Sequence, residues 1–153
     1  MPIIARATVT DPCPSGMTVG VCVDAVDMGI VESMHGKRHK VRMVFETKRL
    51  NPKTGFPFRV SRAYTLSLGK KAKLREDLEA WLGQPLTREE ISAGFDLEHL
   101  IGVCAGLAIA QNERNGETYA NVVAITPADE EIRPSGEYER VCNRPDQAPL
   151  ALS

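Results

Sequence analysis

Positive charge is gathered into one stretch of this chain. GKRHKVR occupies residues 36–42, and ETKRLNPKTG follows at 46–55. Between Lys37 and Arg75 there are 13 Lys and Arg and one acid, Glu46, although the formal net charge of the whole chain is only -1. The other acids therefore lie outside this stretch, and the field has two poles. Arg38, Lys40 and Arg42 alternate with His39, Val41 and Met43. On a strand that period of two places three cations on one face, about 7 Å apart. Cations in such a row neutralise phosphates and release their condensed counterions. Arg59, Arg62, Lys70 and Lys71 continue the basic stretch. Phe56, Phe58, Tyr64 and Tyr119 offer rings on which unpaired bases stack. Simpler roles stand beside these. The row also reads as a solvated face that discourages edge pairing. Phe58 and Tyr64 share an alternating face with Val60 and Leu66, which suits core packing. Arg62 falls on that same face and conflicts with complete burial.

Catalytic and metal chemistry find no such pattern. The glycines form neither a phosphate loop nor a dinucleotide fingerprint, and no HxxxH on a helix or HExxH is present. Cys13, Cys22, Cys104 and Cys142 include no CxxC pair and no zinc spacing. Cys22 and Cys104 sit in apolar runs as small hydrophobes. The expectation is a non-enzymatic protein with no catalytic residues, no metal and no cofactor.

The elements that must hold the basic stretch follow from periodicity. A chain of 153 residues, 42% hydrophobic and 25% charged, makes one globular domain. Its apolar runs are too short to span a bilayer, and no signal peptide opens it, so the expected location is the cytoplasm. Residues 1–16 read as an N-terminal arm. From Met17, Val19, Val21, Val23 and Ala25 alternate with Thr18, Gly20, Cys22 and Asp24, which predicts a strand. Gly29 suits a bend or bulge in it. A second strand carries His39, Val41, Met43 and Phe45 inward. A third runs from about 58 to 67, after the Asn-Pro, Thr-Gly and Phe-Pro steps of a loop.

The period then changes to that of a helix at Leu74, Leu78, Trp81 and Leu82, closed by Gly83 and Pro85. Thr87 with Glu90 predicts a capping box, and Asp96 caps a further turn. Strands at 103–111 and 118–126 flank Asn115-Gly116, a strong hairpin signal. Residues 128–153 turn polar and acidic and read as a mobile tail. Strand-strand-strand-helix-strand-strand predicts a mainly β, α+β fold over 17–127: a five-stranded OB-fold-like barrel with its helix between the third and fourth strands.

Tyr64–Ser67, KLREDLEAW ending at Trp81, and Phe95–Gly102 leading into the hairpin that ends ETYANVVAITP resemble small phage and prophage OB-fold single-stranded-DNA-binding proteins. The resemblance spans about residues 17–127 and rests mostly on structural positions. It implies an OB-fold and single-stranded DNA as ligand, in DNA replication or recombination. On that reading Arg38, Lys40, Arg42, Arg59, Arg62, Lys70 and Lys71 contact phosphates, and Phe58 and Tyr64 stack. The tail acids Asp129, Glu130, Glu131, Glu137 and Glu139 would compete for the basic groove or recruit replication or recombination proteins; a purely solubilising tail is the plainer alternative. The rival function is an adaptor that binds an acidic host or phage protein through the same basic surface. Open strand edges also suit a homodimer.

Overall fold

The structure, a computed structural model, describes residues 12–34 and 36–143. Most of the N-terminal arm, His35 and the last ten residues of the tail lie outside the described residues. The strands are β1 (Gly16–Ser33), β2 (Gly36–Leu50), β3 (Pro57–Thr65), β4 (Cys104–Arg114) and β5 (Glu117–Pro127). They form one antiparallel sheet in the spatial order β3-β2-β1-β4-β5. Between β3 and β4 come helix α1 (Lys73–Leu82), the short helix α2 (Arg88–Ala93) and a 3-10 turn at Leu97–Leu100.

β3 and β5 bound the sheet and approach each other. No hydrogen-bonded ladder joins them among the described residues, so the sheet is not closed into the expected barrel. Helix α1 fills one side of that gap, lying against β3 and β5. Its apolar stripe supplies the reason: Leu74, Leu78 and Trp81 are buried with Met43, Phe45, Val60 and Ile125. Trp81 sits 5.4 Å from the Phe45 ring and donates its indole N–H to the Cys104 carbonyl at 2.8 Å. Each such side chain stabilises the fold by about 1.5–3 kcal/mol on burial. Gly83 ends the helix in the left-handed region, with φ of 72°. The capping box at Thr87 and Glu90 is complete, and Asp96 caps the 3-10 turn.

β1 departs from simple alternation. Register shifts fall at Cys22/Asp24 and Asp27/Gly29. The first moves Ala25 to the face of Cys22, opposite the expected one, because an extra residue at a bulge reverses the side of everything after it. At the second, Gly29 adopts φ of 69°, and its amide donates to the Asp27 carboxylate at 2.8 Å. Past Asp27 and Lys40 the paired strands have neither β4 nor β3 beside them. They stand out as a two-stranded arm.

The largest correction concerns the C-terminal segment. Residues 128–143, expected as the start of a mobile tail, lie as a strap across the outer face of β1 and β2. Ile132 and Tyr138 cover Val21, Val23 and Val44. Two sheet carboxylates buried beneath the strap, Asp24 and Glu46, accept its donors. Asp24 takes the Tyr138 hydroxyl at 2.7 Å, Arg140 Nε at 2.9 Å and the Val141 amide at 2.9 Å. Glu46 takes the Ser135 amide at 2.8 Å and its hydroxyl at 2.7 Å. Composition pointed to disorder, but a buried acid needs donors, and the strap carries them.

Candidate nucleic-acid interface

The basic stretch separates into two populations. Lys48 pairs with Glu130 at 2.7 Å, Arg62 with Asp77 at 3.2 Å, Lys73 with Glu76 and Asp77, and Arg75 with Glu79. Among the described residues, Arg38, Lys40, Arg42, Lys70 and Lys71 have no carboxylate partner, nor does Arg114 outside the stretch. A cation already held by an internal acid has little field left for a ligand. The second population is therefore the one available to phosphates.

Arg38, Lys40 and Arg42 lie on the outer face of β2, as alternation requires. Lys40 stands opposite Thr65 and Arg42 opposite Ala63, while Val41, Met43 and Phe45 between them enter the core. Arg42 Nη1 donates to Ser61 Oγ at 3.1 Å, which aims the guanidinium along β3. Lys70 and Lys71 are exposed in the turn before α1. The Leu66 amide donates to the His39 carbonyl at 2.8 Å, so that turn begins beside the base of the arm.

Beside Arg42, where β3 and β5 fail to join, an open groove of about 1000 Å³ runs between the two strands. Arg42, Ser61 and Arg62 line one wall; Asn112, Arg114, Tyr119 and Asn121 line the other. Tyr119 is 46% exposed. Its hydroxyl donates to Glu117 at 2.6 Å, and its ring remains at the surface. The hairpin that presents this wall turns through Asn115 and Gly116, both at positive φ. The groove thus combines three arginines, two amides and a ring, with Glu113 as its one lining acid.

Four expected site residues are placed otherwise. Tyr64 is 3% exposed and donates its hydroxyl to Asp77 at 2.6 Å, so it cannot stack on a base. Burial, with that bond to a carboxylate, pushes its hydroxyl pKa well up. Arg62 faces inward beside Tyr64, its guanidinium 5.6 Å from the ring, because Met43 opposite it points to the core. Its side chain is 21% exposed, and it reaches the groove only as part of the wall. Phe58 lies at the far end of β3, lining an apolar hollow with Pro14, Leu50 and Pro52. Arg59 stands opposite Glu46 with its guanidinium 5.1 Å from the Tyr138 ring, so the strap occupies one of its faces.

The Tyr64–Asp77–Arg62 contact pins α1 to β3. Tyr64→Phe removes the hydroxyl donor from Asp77 Oδ2, leaving it the Arg62 ion pair, and is expected to cost about 2 kcal/mol, seen as a fall in Tm of about 5 °C. An unchanged melting curve would show that the bond contributes nothing.

No known protein-family model matches the chain, and no curated protein matches it. No helix among the described residues is long and apolar enough to cross a membrane. No group of three or more His, Cys, Asp or Glu there could hold a metal ion. All four cysteines are free, and burial pushes the Cys22 thiol up to about 12. The surface itself presents a row of cations on β2 beside a groove of arginines, amides and one ring. Asn112, Arg114 and Asn121 were not singled out from sequence. The Asn115-Gly116 turn located their hairpin, but nothing local says that it folds over toward β3.

Proposed function

We propose that this protein binds single-stranded nucleic acid, DNA in the first instance, without enzymatic activity. The carrying observation is the row of three unpaired cations on β2 that runs into the groove between β3 and β5. Phosphates meet charge that no carboxylate among the described residues has already neutralised. Bases meet Tyr119 and the guanidinium planes at the groove, where one stack contributes about 1–3 kcal/mol. Asn112 and Asn121 add hydrogen bonds that any base edge can use. The strand order, with β3 and β5 near each other around a helix between β3 and β4, supports reading the sheet as a half-open OB-type barrel. The resemblance of Leu74–Trp81 and Phe95–Gly102 to phage and prophage single-strand binders supports a role in replication or recombination.

The test is a titration of labelled oligo-dT. With about four phosphate contacts, the affinity falls about fiftyfold between about 50 and about 200 mM salt. Duplex of the same length binds more weakly, because its bases are not free to stack. Equal affinity for duplex, or no binding at low salt, removes the proposal. Capture of an acidic protein with no oligo-dT binding would instead establish the adaptor reading.

A further inference from the structure

Single-strand binding, if it uses the outer face of β2, meets an obstacle that the chain supplies itself. On that face Arg38, Lys40 and Arg42 are followed by Val44, Glu46 and Lys48. Arg38 and Arg42 are exposed, Lys40 is half-buried, and the strap reaches none of the three. Val44 and Glu46 lie under the strap, and Lys48 is held by Glu130. Half of the face is open, and half is closed by residues 128–143.

An acidic segment over a basic face suggests a flap that nucleic acid displaces. Apart from Lys48–Glu130, the polar contacts have the opposite polarity. Here the sheet supplies the carboxylates, Asp24 and Glu46, and the strap supplies the donors, Ser135, Tyr138, Arg140 and the Val141 amide. Arg140 also binds Glu98 at 2.7 Å and so ties the strap to the turn before β4. Lifting the strap would free Lys48 and Arg59, but it would also bare the carboxylates of Asp24 and Glu46 and the Val21, Val23 and Val44 side chains. The two carboxylates offset the two cations, and the apolar side chains gain nothing from a sugar-phosphate chain.

Resting on the binding reading above, we infer that the strap is a permanent wall which sets the path of the bound strand. The strand enters at the groove, passes Arg42, and follows Lys40 and Arg38 out along the β1–β2 arm. The arm is suited to this. Beyond Lys40 it has no neighbouring strand on the β3 side, so Arg38 stands clear of the sheet. Val31, paired with Arg38, is half-exposed on the same face as the cations, and Met34 at the tip of the arm is 95% exposed, so a base can rest on apolar surface there.

Hydrogen exchange on the full chain, with and without saturating oligo-dT at low salt, tests this. Amides of Lys37–Arg42 and of Asn112–Asn121 are expected to slow at least about fivefold on binding, while Ser135 and Val141 keep their rates. Faster exchange at Ser135 and Val141 in the complex overturns the inference in favour of a displaced flap. Slowing confined to the groove, with the arm unchanged, overturns the path. A companion variant, Lys37→Ser with Arg38→Ser, is expected to lower affinity at least about fivefold with an unchanged melting temperature; unaltered affinity also overturns the path. Oligo-dT that changes no amide and gives no binding signal defeats the single-strand reading itself, a result distinct from both.

Discussion

Reversing Arg38, Lys40 and Arg42 to Glu is expected to abolish most single-strand binding. Three phosphate contacts become three repulsions, and the affinity for oligo-dT at low salt falls at least about a hundredfold. The slope of log affinity against log salt loses about 2, since each contact with a single strand contributes about 0.7. The fold should tolerate the change. These side chains lie on the outer face and have no carboxylate partner among the described residues. Surface substitutions of that kind stay within about 0.5 kcal/mol. Circular dichroism therefore serves as the control. A triple variant that is folded and binds within about threefold of the parent would eliminate this row as the interface.

Asp24→Ala is expected to be the most damaging change outside the apolar core. Burial pushes the Asp24 carboxyl up, but the Val141 amide, the Tyr138 hydroxyl and Arg140 outweigh it and hold the group below its ordinary range. Removing it leaves a guanidinium, a hydroxyl and an amide without their acceptor. The expected cost is about 3–5 kcal/mol, the loss seen when one partner of a buried pair is deleted. A depressed pKa also sets the pH dependence. The carboxylate's contribution is complete above about pH 4, the unfolded value for Asp, and is lost as pH falls through the lower folded value. Acid unfolding of the parent should therefore include a component that Asp24→Ala lacks. Parallel acid curves, or a loss under about 1 kcal/mol, would mean that Asp24 does not hold the strap. Asp24→Asn, which keeps one acceptor, should fall between the two.

Much of the architecture was legible without coordinates. Alternation along β2 assigned Val41, Met43 and Phe45 to the core and Arg38, Lys40 and Arg42 to the opposite face, and the side chains lie there. The 3.6 period of Leu74, Leu78 and Trp81, the glycine at 83, the capping box at Thr87 and the Asn-Gly hairpin all describe local geometry. Local geometry is what spacing encodes. The same signals failed at β1, where a bulge at Val23 breaks the period with no glycine or proline to announce it.

The sequence by itself determined which residues alternate, where the chain turns, and that its positive charge is concentrated in the middle third. Tertiary structure alone decided which of those charges remain free. Asp77 reaches Arg62 across 15 residues of chain, and Glu130 reaches Lys48 across 82. It also decided that an acidic segment becomes a strap held by sheet carboxylates, and that β3 and β5 leave a groove. Each outcome depends on side chains far apart in the chain meeting after the sheet has curled. A pairing over that distance follows from the register of every strand between the partners, and single-residue bulges set that register.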